Sequence, residues 1–164
     1  MGQIGDILID SLEFARENRR LAGDFPVASL PRLTDLLADD GGSLSWLVRG
    51  ECDADHKPFL DIEIVGELQL KCQRCLGALA HGLKIQSRLQ LVPQGVAWPD
   101  EDLEDDRVDQ IEASDNQSLL ALIEDEVLLA LPIAPRHQSC VLPRYDDGST
   151  VASPFATLAK LKKH

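Results

Sequence analysis

The chain predicts a single α+β domain spanning residues 1–164: an antiparallel meander sheet, a long helix in the C-terminal half, and short N-terminal helices. Two observations carry this. Between residues 44 and 91, three long segments alternate apolar with polar side chains, which is the period of strands with one wet face. Later, residues 119–131 repeat their apolar side chains at helical spacing. The length suits one domain with a hydrophobic core of its own.

Taken in order, residues 7–9 read as a short strand. Asp10 then offers a helix cap with Glu13 three positions on, the spacing of a capping box. A short helix is expected over residues 11–20, carrying Arg16, Arg19 and Arg20 as a basic cluster able to touch phosphate. Pro31 opens a second short helix through Ala38, and Asp39-Asp40-Gly41-Gly42 closes it with turn chemistry.

The sheet follows. Leu44, Trp46 and Val48 share one parity in the first long strand. Leu60, Ile62, Ile64, Leu68 and Leu70 share one in the second, where Gly66 predicts a bulge. In the third, Leu79, His81, Leu83, Ile85, Leu89 and Leu91 oppose Lys84, Gln86, Arg88 and Gln90. His81 therefore reads as a core or edge histidine. Pro93 ends the unit. Residues 93–109 are expected to be an acidic flexible loop, since residues 100–106 hold six acids in seven. A further short strand is expected over residues 108–112. Ser118, Asn116 or Asp115 caps the long helix, whose apolar face runs through Leu119, Leu120, Ile123, Val127, Ala130 and Leu131. Residues 145–164 are expected to be a flexible tail, with a short terminal helix placing Lys160, Lys162 and Lys163 beside Phe155, Leu158 and Leu161.

Charge bounds the partners. The net charge is −12, so the chain as a whole is repelled by phosphate, and RNA contact requires a local basic patch or a basic protein between them. With four Phe, two Trp and one Tyr, platforms for stacking bases are scarce. No secretory signal and no apolar run long enough to span a bilayer are visible, so a cytoplasmic location without a membrane partner is expected. There the four cysteines stay reduced and suit metal or burial rather than disulfides.

Cys72 and Cys75 form a Cys-x2-Cys pair at the end of a strand, and His137 and Cys140 form a later His-x2-Cys pair. Together they supply the four ligands that zinc needs, because a tight turn points both sulfurs of such a pair inward. Cys52, at a neighbouring strand end, is an alternative fourth ligand. The same residues also fit reduced, buried cysteines with no ion. A thioredoxin-type redox pair is disfavoured, because a strand rather than a helix follows. Glu124, Asp125 and Glu126 point in three directions on a helix and cannot share one site. Glu124 and Asp125 read as a solvated face, and Glu126 as a partner for an arginine or lysine, with Arg74 and Arg136 as the cations nearest the proposed site. No phosphate loop, zinc-protease helix or nucleophile elbow is present, and no enzyme is expected.

Leu70-Lys71-Cys72-Gln73-Arg74-Cys75-Leu76, the run from Leu122 to His137, and the ending from Ser153 to Lys162 resemble the YceD family, the bacterial and plastid large ribosomal RNA subunit accumulation proteins. The likeness covers most of the chain and is weakest in the N-terminal third. It implies a non-enzymatic role in synthesis, processing or stability of 23S ribosomal RNA and in large-subunit assembly. The implied partner is a 23S precursor or a basic ribosomal or processing protein, and DNA is not expected. Arg74, Glu124, Asp125, Glu126, Arg136, Lys160, Lys162 and Lys163 are the candidate partner-binding residues. The alternatives are a metal-dependent or thiol RNA-processing enzyme, and a structural zinc module for protein docking.

Overall fold

A computed structural model describes residues 6–98, 108–143 and 155. Strand β1 (Leu8–Ile9) leads into α1 (Ser11–Arg16), where the Asp10 side chain caps the helix by accepting from the Glu13 N–H, the first half of the predicted capping box. The helix is shorter than predicted. Asn18 takes a left-handed φ of 50° and turns the chain, and Arg20 opens strand β2 (Arg20–Pro26) instead of closing the helix. Within β2, Leu21, Gly23 and Phe25 turn toward the core, and Gly23 stands against the Trp46 ring, where a Cβ would come within 3.0 Å. Glycine at an inward position blurs the strand alternation that sequence reasoning needs.

The helix expected from Pro31 is a 3-10 turn over Pro31–Leu36, followed by β3 (Leu37–Asp39). The three long strands are β4 (Ser43–Cys52), β5 (Pro58–Lys71) and β6 (Ala78–Val92), paired antiparallel as the alternation predicts. Gly66 is not a bulge: it pairs with Leu44 on one side and Leu83 on the other without a register shift. Its role is steric, since a Cβ would sit 2.5 Å from a Leu44 methyl. The irregularity lies in β3, between Leu37 and Asp39.

Strand β7 (Val108–Glu112) departs from the meander. It joins β6 in parallel, pairing Val108 with Arg88 through Glu112 with Val92. The predicted acidic loop therefore stops short of Val108 and Asp109, which open this strand, and residues 99–107 lie outside the described residues. The sheet order is β2-β4-β5-β6-β7, with β3 beside the end of β5, and β8 (Gln117–Ser118) makes a separate pair with β1.

Helix α2 (Leu119–Ala130) starts where Ser118 Oγ accepts from the Ala121 N–H. It lays Leu119, Leu122, Ile123 and Val127 on the inner face of the sheet, where Leu60, Ile62, Ile64, Leu89 and Leu91 are buried with them in one core. The face is rotated from the predicted one: Leu122 is buried, and Ala130 is exposed. Of the predicted tail helix only Phe155 is described, and Lys160, Lys162 and Lys163 lie outside the described residues. Among the described residues no helix is long and apolar enough to cross a membrane.

Candidate metal centre

The turn between β5 and β6 is built to aim two sulfurs at one point. Cys72 N–H donates to Gly77 O at 2.9 Å and Leu76 N–H to Cys72 O at 2.9 Å, closing a tight loop in which Leu76 adopts φ 63°. Such a backbone is costly for a branched side chain and marks a constrained position. Opposite the turn, α2 ends before Pro132, and a second proline at 135 keeps the chain from resuming a helix. This segment is sewn to the turn by Gln73 N–H donating to Pro135 O at 2.8 Å and by the Arg74 guanidinium donating to His137 O at 3.3 Å.

The result is a cluster of Cys72, Cys75, His137 and Cys140 whose ligand atoms all lie within 4.8 Å of one another. Cys72 Sγ is 3.9 Å from Cys140 Sγ, and Cys75 Sγ is 3.3 Å from His137 Nδ1. Donors on a tetrahedral zinc stand about 3.5–3.8 Å apart, so the spacing fits one ion. A disulfide would need sulfurs about 2.05 Å apart. His137 Nε2 lies 2.9 Å from Ala78 O. A carbonyl only accepts, so Nε2 carries the proton and Nδ1 turns its lone pair to the sulfurs, the outer-shell arrangement of a metal-ligating histidine.

The electrostatics favour a thiolate at Cys72. Backbone N–H groups of Cys75, and then of His137 and Arg74, hold the buried Cys72 thiol down to about 5 against the opposing effect of its burial. Cys140 is pushed up, by burial first and then by its hydrogen bonds with Cys72 and Cys75. The described residues can hold a metal ion, and all four lie at one end of the sheet. Cys52 is not among them. It ends β4 opposite Pro58, at the far end of β5 from Cys72, on the order of 40 Å along the strand.

The acidic residues of α2 do not join this site. Glu124 is buried rather than solvated: its carboxylate accepts from Arg32 N–H at 2.7 Å and Arg32 Nε at 2.8 Å. Asp125 pairs with the same guanidinium at 2.7 Å. The pair locks the 3-10 turn onto α2, and Arg32, an isolated cation after a proline, gave no sequence signal of this. Glu126 is buried too, but it bonds Ser87 of β6 rather than Arg74 or Arg136. Arg19 stacks over the Phe14 ring at 5.6 Å.

Burial, with Asp109 and Asp125 nearby, pushes the Glu126 carboxyl above its ordinary range despite the Ser87 bond. A raised carboxyl contributes stability that is fully present below its unfolded value and is lost as pH rises through its folded value. Glu126→Gln is therefore expected to raise the urea midpoint at pH 8 and to change it less at pH 5. An equal change at both pH values would contradict this.

Comparison with known proteins adds a family. The family model for the large ribosomal RNA subunit accumulation protein YceD matches residues 60–162, more than half of the chain, including all four clustered residues. A protein of that name from Haemophilus influenzae is 26% identical over 175 aligned positions, covering 96% of this chain and 95% of its own. No solved structure matches.

Proposed function

Since the chain belongs to the family of large ribosomal RNA subunit accumulation proteins, YceD, we propose that it is a non-enzymatic ribosome biogenesis factor required for 23S ribosomal RNA to accumulate. The family match over residues 60–162 is the observation that carries this reading. The chain's net charge of −12 supports action through a basic ribosomal or processing protein rather than through extended contact with naked precursor RNA.

Within this role the cluster is a structural zinc site. Cys72, Cys75, His137 and Cys140 would hold the ion, and zinc would supply a staple between the β5–β6 turn and the segment after α2. Four protein donors fill a tetrahedral ion and leave no position for a reacting water, which favours a closed site over a hydrolase. Arg74 then acts by holding the His137 carbonyl, and Arg136, exposed beside the site, remains available to a partner.

The test is the ratio of 23S to 16S ribosomal RNA in cells depleted of the protein. A selective fall in 23S, restored by the wild-type gene, is expected. An unchanged ratio with normal subunit profiles would refute the role. Restoration by a chain carrying Cys72→Ser and Cys75→Ser would separate the site from the function.

A further inference from the structure

Among the described residues the sheet has an open edge beside the cluster. Strand β6 runs over Ala78–Val92, but β7 covers its outer side only from Arg88 onward. Its other side is paired with β5 in unbroken register along residues 78–90. Ala78 O faces away from β5, since it meets His137 Nε2, and Val92 O does likewise, since it accepts from the Ala113 N–H. The two-residue period of a strand turns the N–H and C=O of Ala80, Gly82, Lys84 and Gln86 to the same outer side. Among the described residues none bonds these groups. All four residues are exposed.

Such an edge templates another strand, and proteins ordinarily cover or blunt it. Here Lys84 is its only charge, and Gly82 stands at its middle. Glycine inside a strand weakens it, yet a Cβ at Gly82 would meet no atom of the described residues within 4 Å. Packing among the described residues gives no reason for glycine there, whereas close approach of a second backbone does. The edge leads into a groove between Leu79–His81 and the Pro132–Gln138 segment, lined by His81, Arg136 and Gln138 and by no carboxylate.

The geometry points to a strand-addition site: an extended, acidic segment of a protein partner, other than the basic protein proposed above, pairs with Ala80–Gln86 along this edge. One side of the incoming strand would face Leu83 and Ile85 of the inner surface, and suits apolar residues. The other side would face Lys84, and its end would approach Arg136, so it suits carboxylates. The zinc staple, by holding the Pro132–Gln138 wall, would shape one end of the groove. The edge itself stands independently of that reading.

The test uses the full-length chain and defined probes: an eight-residue peptide alternating valine and glutamate, its valine–lysine counterpart, an N-methylated valine–glutamate version, and a short oligouridine. In the protein alone, the amides of Gly82, Lys84 and Gln86 should exchange with solvent faster than those of Leu83 and Ile85, which bond to β5. The valine–glutamate peptide should slow the first set by about tenfold or more, and the N-methylated peptide should not. Lys84→Glu, an exposed substitution that leaves the fold intact, should shift the preference to the valine–lysine peptide. Protection of those amides before any addition would overturn the proposal, because the chain would already cover its own edge. Equal binding of the N-methylated peptide, no protection by any peptide, or protection by oligouridine alone would overturn it as well. None of these readouts depends on ribosomal RNA levels, so this site and the proposed function can fail separately.

Discussion

Cys72→Ser is expected to lower the thermal midpoint by about 10 °C and to release the segment after α2 while the sheet stays folded. A metal held at about 1,000-fold its dissociation constant stabilises the native state by about 4 kcal/mol. In a chain of this size each kcal/mol moves the midpoint by roughly 2–4 °C. The sheet survives because its core of Leu60, Ile62, Ile64, Leu89 and Leu91 is buried against α2, away from the cluster. Chelation of the wild-type protein should reproduce the same loss and should add nothing to Cys72→Ser. If chelation left the midpoint unchanged while the substitution lowered it, the cysteines would be buried thiols and not ligands. Limited proteolysis between residues 132 and 143 reads the local release directly.

The second large effect is expected at Gly50. A Cβ there would collide with Phe14 O and would stand 2.7 Å from Ala15 Cα, both backbone atoms of α1. Side chains yield to such contacts by changing rotamer, but a helix backbone does not. The Gly50 N–H also donates to Arg19 O at 2.8 Å, holding the turn after α1 against β4. Gly50→Ala must push α1 off the sheet and loosen Phe14 and Ala15, both fully buried. A destabilisation of about 3 kcal/mol is expected, at the upper end for overpacking a well-packed site. Equilibrium urea unfolding measures it, and a loss under 1 kcal/mol would mean that α1 is less firmly seated than its contacts imply. Gly66→Ala is the milder comparison, because its nearest neighbour is a Leu44 methyl that can rotate away.

The parts of the fold legible in the sequence were those governed by local periodicity. Leu44, Trp46 and Val48 announce β4 by alternation, and Ser118 with the apolar run after it announces α2. The four clustered residues were legible for a different reason: ligand chemistry limits which residue types can gather, so a Cys-x2-Cys and a His-x2-Cys suggest each other across more than sixty residues. What stayed hidden depends on distant partners. Arg20–Pro26 forms a strand because β4 offers it an edge, although residues 11–20 by themselves read as continuing helix. Glu124 resembles any solvated acid until the fold brings Arg32 to it, and nothing local to either residue signals the pairing. The parallel placement of β7 was equally invisible, since a five-residue strand carries no mark of its direction.

The claim that joins sequence, fold and function is that Cys72, Cys75, His137 and Cys140 close around one ion. X-ray absorption at the zinc edge, with metal content, on full-length protein purified under reducing conditions tests it most directly. One zinc per chain is expected, with three sulfurs at about 2.3 Å and one nitrogen at about 2.0 Å. Protein that retains no zinc, or zinc surrounded only by nitrogen and oxygen, would contradict it.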